Sequence, residues 1–260
     1  MFLPQLLTRL EQGEKLAVLT CYDASFARLM AANGVDILLV GDSLGMTVQG
    51  HATTLPVSLE QMVYHTEAVA RGAAGRCFLI GDLPFGSYQA SPEQAFHASA
   101  RFMAAGANMV KLEGGAVMVE TVRFLVDRGI PVCGHLGLLP QSVNTTGYRA
   151  QAREAAQAEQ LLRDAAALQD AGAQMLVMES IPSALAETVT RQLAIPTIGI
   201  GAGPACDGQV LVLHDILGLT EKPPRFSRNF MDGAGSLGNA VQGFVTAVKT
   251  GSFPGPEHGF

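Results

Sequence analysis

DILLVGDSLGM, residues 36–46, runs through four apolar residues and then halts on a glycine, a carboxylate and a hydroxyl. An unbroken apolar run of this length reads as a strand buried on both faces, the mark of a parallel sheet covered by helices. The pattern recurs. LAVLTCYD (16–23), CFLIGDLP (77–84), NMVKLEGG (108–115), IPVCGHLG (130–137), QMLVMES (174–180), IPTIGIGAG (195–203) and QVLVLHD (209–215) share it. Between most of these runs lie longer Ala-rich amphipathic stretches, at 25–33, 58–72, 92–105, 116–128, 151–171 and 183–193. Ser58, Ser91 before Pro92, and Ser183 read as helix starts, because a hydroxyl there can accept from a free backbone N–H. Eight strands alternating with helices predict a (β/α)8 TIM barrel in a single domain over 1–260, with a C-terminal helical extension and tail, rather than an open doubly wound sheet. Only a Gly-rich loop separates the seventh and eighth runs, an irregular link.

In such a barrel the C-terminal end of every strand opens on one face, where barrel enzymes carry their chemistry. The runs end on Asp23, Asp42 with Ser43, Asp82, Lys111 with Glu113, His135, Glu179 and the loop GIGAGP, so these residues are expected in one mouth. Strand alternation puts Lys111 and Glu113 on the same face, with Val110 and Leu112 turned toward the helices. The chain has only four lysines, and an ammonium inside an apolar strand is costly unless it is paired or meets a ligand.

Taken singly, each residue has a plainer explanation. Asp42, Ser43 and Asp82 suit turns, His135 suits a satisfied core position, Cys133 a small core residue, and GIGAGP lacks the context of a dinucleotide site. Together, several acids with one lysine and one histidine at strand ends would repel or desolvate without a cation, which points to a bound metal. Oxygen donors favour a hard divalent ion, Mg²⁺ above all. An open-coordinated hard ion beside a lysine suits a substrate with a carboxylate next to a carbonyl, and Glu179 is placed to act as base at the adjacent carbon.

Composition limits the alternatives. With 260 residues, 48% hydrophobic and 15% charged, the chain can bury a large core. A net charge of −6 without a basic stripe argues against nucleic acid as partner. Cys21, Cys77, Cys133 and Cys206 are far apart and show no zinc spacing, which fits a reducing, cytoplasmic setting. The N-terminus is broken by Arg9, Glu11, Glu14 and Lys15 before a secretory h-region forms, and no uncharged run approaches the ~20 residues of a membrane helix.

LLVGDSLGM (38–46), TLPVSLEQMVYHTEAVARGA (54–73), DLPFGSYQASPEQA (82–95), VKLEGG (110–115), IPVCGHLGLLPQSV (130–143), IPTIGIGAGPACDGQVLVLHDILGL (195–219) and FPGPEHGF (253–260) closely resemble the ketopantoate hydroxymethyltransferase family, over nearly the whole chain. The resemblance implies a magnesium-dependent barrel that transfers a one-carbon unit from 5,10-methylenetetrahydrofolate to 3-methyl-2-oxobutanoate, giving 2-dehydropantoate for pantothenate synthesis. Carried over by motif, it makes Asp42 and Asp82 Mg²⁺ ligands, with Glu113 completing the shell directly or through water. Ser43 and Lys111 would hold the keto acid's carboxylate, Asp82 would also face the substrate, Glu179 would be the proton acceptor and His135 would line the pocket. The resemblance also implies a homo-oligomer, commonly a decamer. One string departs: QSVNTTGYRAQAR (141–153) is one residue shorter than the family's usual run and keeps only Gly147 of a glycine pair, which concerns the loop from Asn144 to Arg149. A sister lyase or mutase acting on pyruvate-like acids is a rival, although no KKCGH-like motif is present, and a non-catalytic keto-acid binder is another.

Overall fold

The computed structural model describes all 260 residues. The elements run α1 (Leu3–Glu11), β1 (Leu16–Thr20), α2 (Ala24–Ala32), β2 (Ile37–Val40), α3 (Leu44–Thr47), α4 (Leu59–Ala73), β3 (Phe78–Asp82), α5 (Pro92–Ala104), β4 (Met109–Glu113) and α6 (Val119–Val126). They continue as β5 (Val132–Gly137), α7 (Val143–Thr146), α8 (Ala155–Asp170), β6 (Met175–Glu179), α9 (Ser183–Gln192), β7 (Thr197–Ile200), β8 (Gly208–Leu211), α10 (Leu213–Ile216) and α11 (Leu237–Lys249). All eight strands pair in parallel, each with its sequence neighbour, and β8 returns to β1 through Leu16↔Gly208 and Val18↔Val210 to close the barrel. The expected fold is therefore present.

Helix boundaries follow local chemistry. Ser58 accepts from Gln61 N at 3.2 Å while the Gln61 side chain returns to Ser58 N, and Ser91 accepts from Gln94 N at 3.1 Å ahead of Pro92. Ser183 behaves differently: Pro182 takes the cap position and no side chain caps α9. The stretch expected at 116–128 divides into a 3₁₀ turn at Ala116–Met118 and α6, and the one expected at 151–171 begins only at Ala155. No helix joins β7 to β8, matching the irregular link in the sequence.

Below the mouth the barrel axis is dry. Val18, Ile80, Val177, Ile198 and Val210 enclose a void of only 10 Å³, and Lys111 borders it from above. At the opposite end Asp36, fully buried, accepts from Ala17 N at 2.9 Å and pairs with Arg9 and with Lys249, whose Nζ lies 3.2 Å away. One carboxylate thus ties α1, β1 and α11 to the start of β2. Asp36→Ala should cost on the order of 3 kcal/mol, because it orphans a buried N–H and the Arg9 guanidinium and leaves Lys249 with Glu14 alone. Chemical denaturation would measure it, and a loss below about 1 kcal/mol would mean that water replaces the carboxylate without cost.

Candidate active site

One cavity of about 810 Å³ opens at the C-terminal ends of the strands, and Asp42, Ser43, Asp82, Lys111, Glu113, His135 and Glu179 all line it. Seven residues separated by up to 137 positions are brought together by strand order alone. Asp23 is not among them. Its side chain accepts from Ser25 N at 2.7 Å and Phe26 N at 2.9 Å, so it caps α2, and the expectation that it joins the mouth is corrected.

Strand alternation works as expected in β4. Lys111 and Glu113 face the cavity while Val110 and Leu112 are buried in the apolar core. Lys111 Nζ sits 2.8 Å from Asp82 Oδ1 and 3.3 Å from His135 Nδ1. Burial alone would lower the Lys111 pKa, but the carboxylates of Asp82, Glu113 and Asp42 outweigh it and raise the value, so the lysine is charged. Burial, reinforced by Asp82 and Glu113, lifts Asp42 well above the ordinary carboxylate range. Asp82 is raised by burial too, with Lys111 opposing.

His135 stands between two acids, with Nε2 3.2 Å from Glu179 Oε2 and Nδ1 3.6 Å from Glu113 Oε1. Burial and Lys111 push its pKa down, yet the carboxylates of Glu113 and Glu179 beside it prevail and raise it. Glu179 ends β6 at the edge of the cavity with its side chain 14% exposed, on the inward face it shares with Val177. Two local features hold it there. Ser180, directly after it, adopts φ +50°, a left-handed conformation that turns the chain away. At the end of β5, Gly137 has φ +96°, and a Cβ there would fall 2.2 Å from Glu179 O, so only glycine lets the two strand ends meet this closely.

Three residues escaped the sequence reading. Tyr22 Oη lies 2.9 Å from Ser43 Oγ. Gln141, buried, donates its side-chain amide to Asp42 Oδ2 at 3.0 Å and to Leu83 O at 2.9 Å, while its backbone N–H donates to Glu113 Oε2 at 3.1 Å. Tyr88 donates to Gln141 Oε1 at 2.7 Å and accepts from Glu113 N at 3.1 Å. Neutral residues such as these carry no chemical signature in sequence, and only their place beside the acids reveals them. The cysteines are all buried and free, and burial lifts the Cys133 thiol to about 12, which makes it a poor nucleophile.

The donor set bears on metal binding. No three His, Cys, Asp or Glu side chains converge to hold one ion. Protein donors occupy part of the acid cluster: the ammonium of Lys111 at Asp82 and the amide groups of Gln141 at Asp42 and Glu113. Even so, Glu113 Oε1 is buried without a hydrogen-bond partner, and three carboxylates face a single lysine. Such a cluster fits a hard cation held by one or two carboxylates, the usual mode for Mg²⁺, with water filling the remaining positions.

The model of the family described as ketopantoate hydroxymethyltransferase matches residues 1–256. The chain belongs to this family. A 3-methyl-2-oxobutanoate hydroxymethyltransferase of Thiobacillus denitrificans is 64% identical over 251 residues, covering 96% of this chain and 95% of that one. One of Nitrosospira multiformis is 61% identical over 252 residues, with 96% and 95% covered. The chain is accordingly a hydroxymethyltransferase, a transferase enzyme. Among solved structures, 2,3-dimethylmalate lyase superposes with a TM-score of 0.61 at 21% identity over 80% of this chain and 79% of that one. Phosphonopyruvate hydrolase in complex with oxalate and Mg²⁺ gives 0.63 at 14% identity over 84% and 83%. At those identities the likeness extends to the barrel alone.

Proposed function

We propose that the cavity transfers a hydroxymethyl group from 5,10-methylenetetrahydrofolate to C3 of 3-methyl-2-oxobutanoate, giving 2-dehydropantoate for pantothenate synthesis. The observation that carries this reading is the pairing, in one cavity, of a charged buried lysine among acids with a separate carboxylate, Glu179, held by a histidine. A pure binding site would have no use for the second carboxylate.

Asp42 and Asp82 would hold Mg²⁺, with Glu113 completing the shell directly or through water, and the ion would supply Lewis-acid polarisation of the keto acid's carbonyl. The ammonium of Lys111 attracts the carboxylate, which Ser43 also binds, its hydroxyl oriented by Tyr22. Asp82 lies against the substrate. Glu179 removes the C3 proton, and His135, 3.2 Å away, fixes the carboxylate's orientation and lines the pocket. The resulting carbanion equivalent forms the new C–C bond to the folate-borne methylene carbon, whose two C–N bonds break; water supplies the hydroxyl, and the folate nitrogens take the C3 proton and the remaining proton of water as tetrahydrofolate leaves. The family's homo-oligomeric state is part of the same proposal, and light scattering tests for a decamer. No helix of the chain is long and apolar enough to cross a membrane.

The test is incubation with 3-methyl-2-oxobutanoate, methylenetetrahydrofolate and Mg²⁺. Appearance of 2-dehydropantoate is expected, and its absence under all three would reject the reading. Metal removal by chelator should abolish turnover. Asp42→Asn and Asp82→Asn should each weaken Mg²⁺ binding by about 10-fold or more, since even outer-shell partners of a metal are worth ~10–100-fold. Calorimetric titration with unchanged affinity in both variants would return these residues to a structural role.

A further inference from the structure

The acidic floor accounts for a small keto acid, whereas the cavity measures about 810 Å³, within the ~300–1,000 Å³ of sites that enclose drug-sized ligands. Its outer part is built differently from its floor. Met46, Tyr148, Leu219 and Phe260 line it and are between 39% and 65% exposed. They come from the segments after β2, after β5, after β8 and from the C-terminal tail, so four separate parts of the chain leave large apolar groups in water around one opening. Apolar surface collected around a polar cavity marks a surface that a ligand covers.

Among these groups stand three cations. Arg149, Lys222 and Arg225 line the same cavity, and none pairs with a carboxylate of the protein. Arg225 is fixed: its Nε donates to Glu257 O at 3.0 Å, and its guanidinium lies 5.9 Å from the centroid of the Phe260 ring. Phe226 joins the same wall, since a Cβ on Gly201 would fall 2.8 Å from its ring and 3.0 Å from that of Phe260. In a chain of net charge −6, unpaired cations gathered on one rim above an acidic floor separate the two signs of charge by depth. The floor suits a cation and a keto acid. The rim suits an anion attached to something flat and apolar.

We propose that this rim is the subsite for the one-carbon donor, taking its heterocycle against Tyr148 and Phe260 and the carboxylates of its glutamyl end at Arg149 and Lys222. The proposal deepens the folate reading above and rests on it. It also gives the 144–149 loop a role: the segment that departs from the family's usual string carries both Tyr148 and Arg149. Because these cations are exposed, their attraction for carboxylates should weaken as salt rises.

The experiment measures KM for methylenetetrahydrofolate and for the matching pteroate, which lacks the glutamyl group, in wild type and in the double variant Arg149→Ser with Lys222→Ser, at low and high salt. Wild type should show a higher KM for the pteroate. The double substitution should raise KM for the folate by about 2- to 30-fold, the product of two exposed ion pairs, and leave KM for the pteroate where it was. Thermal unfolding of the variant reports whether it is folded, and the wild-type comparison of the two donors stands without it. Equal wild-type KM values for the two donors, or an unchanged folate KM in the folded variant, would overturn the subsite. A wild-type protein that turned over neither donor would instead overturn the folate reading.

Discussion

Glu179→Gln should bind Mg²⁺ and 3-methyl-2-oxobutanoate as wild type does and lose turnover by roughly 10² or more, the range a positioned general base contributes. The amide keeps the shape of the carboxylate and a partner for His135, but it cannot accept a proton. Glu179 is well suited to separate binding from chemistry because it stands apart from the acids around Lys111. Its charged partner is His135 Nε2, whereas Asp42 and Glu113 are engaged by Gln141 and Asp82 by Lys111. Calorimetry for the two ligands beside steady-state kcat distinguishes the roles. A variant that lost keto-acid affinity and kept kcat would make Glu179 a binding residue.

Lys111→Met should raise the keto-acid KM by about 10-fold or more, the loss of one charge-assisted contact at ~1.5–3 kcal/mol. Sequence alone points to a modest cost in stability, because methionine preserves the packing of the stem. The structure corrects that expectation. Lys111 is the ammonium among Asp82, Glu113 and Asp42, all buried, and deleting it leaves these acids with His135 as their one positive neighbour. Removing one partner of a buried pair typically costs ~3–5 kcal/mol. The sign of its pH dependence follows from the acids. Burial already raises Asp42 and Asp82 in the fold, and without Lys111 they rise further, so the folded variant binds more protons than its unfolded chain and loses stability as pH increases. Denaturant midpoints taken at about pH 5 and about pH 8 should therefore differ more for the variant than for wild type. Mg²⁺ should recover part of the loss by binding the folded state. An unchanged KM in a folded variant would make Lys111 a structural counter-ion only.

The barrel was legible because its strands are buried on both faces and so read as unbroken apolar runs, with polar residues appearing only where each strand ends. Period-two alternation puts Lys111 and Glu113 on one face of β4, and both line the cavity. Asp23 shows where this logic fails: it ends an apolar run like Asp42, but it sits one residue before α2, and its oxygen is used by two free backbone N–H groups. Strand ends and helix caps coincide in a βα unit, and sequence cannot tell which use wins. Ser183 fails for a related reason, since Pro182 already supplies the extended entry to α9. Gln141, Tyr22 and Tyr88 were hidden because a neutral side chain becomes part of a site only through what it touches.

The most direct test of the central claim is exchange of the C3 hydrogen of 3-methyl-2-oxobutanoate with deuterated water, followed by NMR with Mg²⁺ and without folate. Wild type should exchange the hydrogen and Glu179→Gln should not, although both bind the keto acid. Exchange at the wild-type rate in Glu179→Gln would contradict the account and move the base to His135, the titratable side chain 3.2 Å from Glu179 in the same mouth.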